Sequence, residues 1–260
     1  MDFKQSTFQE ILDSEREMVL GAEERFGTYY VNAFRFSELL ARSIKTVHPS
    51  RMIFVLFLSQ VRKHHALALF STVRLHHIQA KMDLRQTLEA GASAAYAIAN
   101  IDRADFADVD EEGILNPTQD LDRKRYKWLE QNFAEGSNAI KRLKDIINKS
   151  GAHSNIADAH STFNFDDVSR RFDTPFFDIE DDYFVKSDLW LIANVAMGLL
   201  RLFFEVNRTL NVVMFADDFE RRIKELSTDN DRLRAEMMQT EPYHRANQLI
   251  QRRGARMRSR

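Results

Sequence analysis

The residues best suited to acid–base chemistry stand at one exit, Asn148-Lys149-Ser150-Gly151-Ala152-His153, where a strongly patterned helix gives way to an irregular stretch. An imidazole there takes or gives a proton near neutral pH, with donors for an anion close by in sequence. A loop histidine is also commonly structural or merely exposed. A second chemistry-bearing line is His77, Lys81, Arg85 and Glu89, four residues apart and so on one helical face. Arg85 and Glu89 form an i, i+4 pair. The line reads either as a solvated face or as a polar row beside a site.

Metal chemistry is not expected. His64, His65, His76 and His77 share one stretch, but no two are three or four apart. His65 and His76 share a face of a continuous helix yet stand about 16 Å apart along its axis, too far for one ion. The acids of 101–118 lack the Asp/Asn-Gly ladder and terminal Glu of a calcium loop, and read as a solvated acidic loop. With no cysteine, disulfides, thiol catalysis and Cys-ligated zinc are excluded. No cofactor is expected.

These residues must be positioned by helices. Hydrophobic residues at 44% with 20 Phe give a globular composition, and 8 Gly with 4 Pro leave few turn-formers, so a few long elements are expected. A net charge of −2 gives no global attraction to nucleic acid or anionic membrane, so any such affinity is local. The charged N-terminus, MDFKQSTFQEILDSEREMV, is no signal peptide. The most apolar stretch, Leu189 to Phe204, contains Asn194 and Arg201 and falls short of the roughly 20 residues a span needs. It reads as a buried core helix, and a cytoplasmic protein with no membrane partner is expected.

The chain divides as N-terminal helices (1–48), a helical bundle (49–212), a dimerisation helix (213–241) and a basic tail (242–260). Residues 6–46 form two helices with a break near Gly27, the first capped by Ser6 or Thr7. His48-Pro49-Ser50 punctuates the chain. From Arg51 to Asn100 runs one very long helix or two nearly continuous ones, with Leu67, Phe70, Ile78, Met82, Leu88, Ala92 and Ala95 as the apolar face. A helix spans Gln119 to Asn148. Residues 149–185 form a loop with one small β-hairpin at Phe163 and Phe165. Ser187 or Asp188 caps a last helix that continues to Pro242.

Within it, Phe219, Ile223, Leu226, Asn230, Leu233 and Met237 are spaced 4, 3, 4, 3, 4, a heptad seam. Ile223, Asn230 and Met237 take a positions, and Leu226 and Leu233 take d positions. This pattern predicts a parallel homodimer in which Asn230 meets its symmetry mate and Asp229 pairs with Arg234 across the interface. An amphipathic helix packed on its own domain is the other reading. The tail carries Arg245, Arg252, Arg253, Arg256, Arg258 and Arg260, with no acid after Glu241.

LRQTLEAGA (84–92) on one long helix and INKSGAHSNI (147–156) at the end of another resemble the HEPN superfamily, over roughly residues 50–210. Its closest branch comprises bacterial and phage-borne proteins of unassigned function. The resemblance implies a helical bundle, and with the hairpin and seam read above the expected fold is mainly α, a HEPN-like helical bundle with a small β-hairpin insertion and a C-terminal coiled-coil helix. It also implies a dimer and, in many members, metal-independent ribonuclease activity in defence or toxin-type systems. The family hallmark is an Arg, a polar residue, then a His four to six residues past the Arg. His153 matches that His. The Arg position falls on Asn148 or Lys149, so either a lysine stands in for it or Arg85 supplies the cation from the other helix. His153 and Arg85 are then the catalytic candidates, with Asn148, Lys149 and Glu89 as binding residues and RNA as the expected substrate. The competing readings are a non-catalytic interaction module using coiled coil and basic tail, and a bundle that binds a small ligand or nucleotide.

Overall fold

The computed structural model describes residues 3–4, 6–118, 120–149, 164–166, 171–173, 176–178, 181–245 and 247–248, and the fold is mainly α with short strand pairs. Helix α1 (Phe8–Leu20) starts on a capping box. Glu10 N–H donates to Thr7 Oγ1 at 3.2 Å and Thr7 N–H donates to Glu10 Oε2 at 2.7 Å, so Thr7 is the cap. Helix α2 (Ala22–Arg42) begins beyond Gly21. The expected break near Gly27 is a kink inside it, where φ is +55°, a region cheap only for glycine.

The stretch 51–100 is not one long rod. Helix α3 (Met52–Val73) and helix α4 (His77–Ala99) are joined by three residues and form a helical hairpin, the most extensive contact in the fold. Its turn is made by Leu75, which is buried and holds a left-handed φ of +60°. That conformation is costly for leucine. Leu75 N–H donates to Thr72 O, and Leu75 O accepts from Asp178 N–H at 2.9 Å. Because the chain reverses here, Leu67, Phe70 and Met82, expected on a buried face, are partly exposed, while Leu88, Ala92 and Ala95 are buried.

The acidic loop carries its own hairpin, β3 (Ala107–Val109) against β4 (Leu115–Pro117), after the earlier strands β1 (Phe3–Lys4) and β2 (Ile44–Val47). The Asp110 carboxylate accepts from the N–H groups of Ile114 (2.8 Å) and Glu112 (3.1 Å) and from Asn116. The bond from Ile114 is the main cause of an Asp110 pKa below the ordinary carboxylate range. At this position an acid builds a turn. The helix expected over 119–148 is two, α5 (Leu121–Asn132) and α6 (Ala134–Lys149), broken at Phe133. Strands β5 (Asn164–Asp166) and β6 (Arg171–Asp173) pair antiparallel with Phe165 opposite Phe172, and β1 adds to β6 in parallel. That is the hairpin expected from the alternating aromatics, although Phe163 lies outside the described residues.

Helix α7 (Asp182–Asn207) is capped earlier than expected. Asp181, not Ser187 or Asp188, accepts from Phe184 N–H at 3.1 Å. By length and composition this helix is apolar enough to cross a membrane, and its residues Leu189, Ile192, Leu199 and Phe203 are buried in the core. It does not run on to Pro242. The Asn207 side chain accepts from Val212 N–H and Val213 N–H at 2.9 and 2.8 Å and donates to Val213 O at 2.7 Å, forcing a turn completed by Asn211 at φ +49°. Strand β7 (Val213–Phe215) then pairs with β2, Val47 opposite Val213, and helix α8 (Phe219–Met238) follows.

The heptad seam on α8 is occupied by the chain itself, which corrects the expectation of a two-stranded coiled coil along it. Ile223, Leu226, Asn230, Leu233 and Met237 are all buried, and α8 packs on α2 and α7. Asn230, with no exposed surface, meets Asn32 instead of a symmetry mate. Asn32 Nδ2 donates to Asn230 Oδ1 at 2.9 Å, Trp190 Nε1 donates to Asn230 O at 3.0 Å, and Tyr29 OH donates to Leu233 O at 2.8 Å. Asp229 pairs with Arg232 at 3.6 Å, and Arg234 lies over the Trp190 ring. A dimer through these side chains would require α8 to leave its own bundle. One hydrophobic cluster runs from Ala22 to Met237, shared by the segments divided above as 1–48, 49–212 and 213–241.

Helices α4 and α7 approach closely at Gly91, where an added Cβ would overlap the buried Leu199 side chain. Gly91→Ala should therefore lower stability by about 1–3 kcal/mol, the range for overpacking a filled core, despite alanine's better helix propensity. A urea midpoint equal to or above wild type would contradict this contact.

Candidate functional site

A cleft of about 390 Å³ opens between α4, α5 and α6. Helix α4 contributes Arg85, α5 contributes Tyr126, and α6 contributes Lys141, Lys144, Asp145 and Asn148 from one face at spacings of three and four, while Glu89 of α4 contacts two of these side chains. Glu89 is the hub. Its Oε1 lies 3.3 Å from Arg85 Nε and 3.0 Å from Lys144 Nζ. Lys144 Nζ also donates to Tyr126 OH at 3.1 Å. Burial disfavours the ionised Glu89 carboxyl, but the Lys144 ammonium and Arg85 guanidinium outweigh it and hold its pKa below the ordinary range. Burial likewise opposes the Lys144 charge, and its bonds to Tyr126 and Glu89 overcome that and raise its pKa. Both groups are therefore charged at neutral pH.

Beneath the cleft lies the buried Arg125, which ties α5 to α4. It donates to Glu89 O at 3.2 Å and to Ser93 Oγ, pairs with Asp122 at 2.6 Å, and sits 4.9 Å from the Tyr126 ring centroid. Asn148, on the last turn of α6, has a buried Oδ1 with no hydrogen-bond partner among the described residues. A buried orphan acceptor is uncommon and leaves capacity for a ligand's donor. The cleft thus offers Arg85, Lys141 and Lys144, each paired with a carboxylate, together with the Asp145 carboxylate, a phenol and one unused acceptor.

Of the residues singled out in the sequence, Arg85, Glu89 and Asn148 converge in this one place. Lys149 ends α6 next to Asn148, with its side chain outside the described residues, and His153 lies outside them altogether. Lys144, Lys141, Tyr126 and Arg125 were not singled out. The Lys141-Lys144-Asn148 spacing on one face was the available signal. Nothing in the sequence says that the α5–α6 hairpin docks on α4.

The four clustered histidines are engaged separately. His64 Nδ1 meets Asp83 at 2.9 Å, His76 Nε2 meets Glu15 at 2.9 Å, and His77 Nδ1 meets Asp188 at 3.1 Å. Among the described residues no group of three His, Asp or Glu is arranged to hold a metal. His65 is fully buried. Its Nε2–H donates to Ile192 O at 3.0 Å, and Nδ1 faces Ser37 Oγ at 3.1 Å. Burial lowers its pKa from 6.5 to about 4, against the weaker opposing effect of the Ile192 carbonyl. The unfolded chain takes up this proton as pH falls through 6.5, while the folded chain resists to about 4. The stabilisation is thus complete above 6.5 and is lost as pH falls from 6.5 toward 4. Between pH 7 and 5 this group should cost about 2 kcal/mol. Comparing urea midpoints of wild type and His65→Gln checks this: the variant should lose that share of the pH slope, and an unchanged slope would refute it.

No family model, no curated protein and no solved structure matches this chain.

Proposed function

We propose that this chain is a HEPN-like, RNA-directed protein whose α4–α5–α6 cleft holds the phosphodiester backbone and whose His153 serves as general base in metal-independent cleavage. One observation carries the reading. Arg85 and Asn148, from helices far apart in sequence, line one cleft with two lysines, just before the chain reaches the histidine of the family hallmark. His153 is five residues past Asn148, which keeps its Cα within about 18 Å of that residue. Lys144 and Arg85 provide the cation that the hallmark assigns to the Arg position.

In this mechanism His153 removes the proton of the RNA 2′-hydroxyl. The 2′-oxygen bonds to phosphorus as the bond to the 5′-oxygen breaks, leaving a 2′,3′-cyclic phosphate. The departing 5′-oxygen takes up a proton from water, and His153 returns its proton to solvent. Arg85, Lys141 and Lys144 stabilise the charge that builds on the phosphoryl oxygens, and Asn148 Oδ1 accepts from a ribose hydroxyl. Binding of a short single-stranded RNA, measured against salt concentration, tests the cleft. Lys144→Gln and Arg85→Gln should each weaken binding and lower the salt slope by about one, as for a lost phosphate contact. Binding with unchanged slope in both variants would remove the cleft from RNA recognition.

A further inference from the structure

A second groove, larger than the cleft above, lies on another side of the bundle, between α6, α7 and α8, with a volume of about 980 Å³. Its walls include Ile140 and Leu143 of α6, Leu199 and Leu202 of α7, and Phe219 and Ile223 of α8. That size and that lining match pockets for small apolar ligands. Helix α6 turns its apolar face toward α7, yet the two make only limited contact, so the groove is a gap between apolar surfaces. Such surfaces normally close on each other.

Gly198 gives independent support. It sits in the interior of α7 and lines the groove, and a Cβ there would meet no atom within 4 Å. Glycine costs helix stability relative to alanine. At Gly91 a close neighbour explains it, whereas at Gly198 none does. The missing side chain keeps that wall of the groove open.

The rim holds one anchored cation beside the apolar walls. Arg201 Nη2 donates to Ser227 Oγ at 2.9 Å, which holds the guanidinium beside the apolar walls. Among the described residues neither Arg201 nor Lys224 meets a carboxylate at ion-pair distance, whereas Glu205 is already paired with Arg208 at 3.2 Å. Glu135 and Glu220 complete the rim, exposed to solvent as Arg201 and Lys224 also are, so salt screens all four charges alike and, among the described residues, only the Arg201 head is held in place by a hydrogen bond. We infer that this groove binds a monomeric long-chain carboxylate, its acyl chain between α6 and α7 and its head at Arg201 and Lys224.

Calorimetric titration of the full chain with laurate, and separately with dodecanol, tests this below their aggregation concentrations. Laurate should bind saturably at one per chain. Gly198→Leu, which fills the groove, should weaken it about tenfold, as expected from displacing roughly two methylenes. Ala139→Trp, on an exposed part of the α6 wall and harmless to folding, should do the same. Arg201→Gln should weaken laurate roughly threefold to fivefold, the scale of one solvent-exposed charge contact, and leave dodecanol unchanged. No saturable laurate binding by wild type, or equal binding by both groove-filling variants, would overturn the site. Equal loss of laurate and dodecanol in Arg201→Gln would overturn the carboxylate assignment.

Discussion

Leu233→Lys should destabilise the folded chain by about 3–5 kcal/mol, because it removes a large buried side chain and buries an unpaired charge. Leu233 is 1% exposed, and its carbonyl receives the Tyr29 hydroxyl. The expected result is a lower urea midpoint and a less helical circular dichroism spectrum at 37 °C. A coiled-coil dimer predicts something else: dissociation with each chain's stability intact. Asn230→Leu separates the two pictures by sign. In a coiled coil, leucine at an a position strengthens association. Here it leaves the Asn32 amide without its acceptor in the core, which costs about 1–3 kcal/mol. A variant more stable than wild type would contradict the packing of α8 on α2.

His153→Ala carries the largest functional expectation. Loss of a general base typically costs about 10²–10⁴-fold in rate. RNA cleavage should fall by that factor, while RNA affinity and the thermal midpoint stay close to wild type. The companion variant Lys144→Gln should do the reverse in emphasis, weakening binding first, since its ammonium lies in the part of the cleft proposed to hold phosphate. Cleavage by His153→Ala at the wild-type rate would end the general-base assignment, leaving the cleft as an RNA-binding surface without chemistry.

The helical class was legible from composition, since so few Gly and Pro leave little to build other than long helices. So were the Thr7 cap and the hairpin around Phe165. What escaped were turns made by residues that do not announce turns. Leu75 adopts a left-handed conformation because burial and the hydrogen bond to the Asp178 N–H hold it there. Phe133 breaks α5 from α6 with no Pro or Gly, and Asn207 turns the chain through tertiary hydrogen bonds to Val212 and Val213. The α8 seam shows a further limit. A 4, 3 spacing identifies the face that is buried, not what buries it. Asn32 and Trp190, which donate to the Asn230 side-chain and backbone oxygens, lie 198 and 40 residues away in sequence. The site divides in the same way. Arg85, Glu89 and Asn148 stood out by type and spacing. Lys144 and Tyr126 joined them only once α6 was seen to fold back across α4.

The most direct measurement is incubation of the purified protein with mixed single-stranded RNA in excess EDTA, with products resolved by length and by their ends. The account predicts cleavage undiminished by EDTA, yielding 2′,3′-cyclic phosphate and 5′-hydroxyl ends. RNA left intact under every condition, or cleavage that EDTA abolishes, would contradict it.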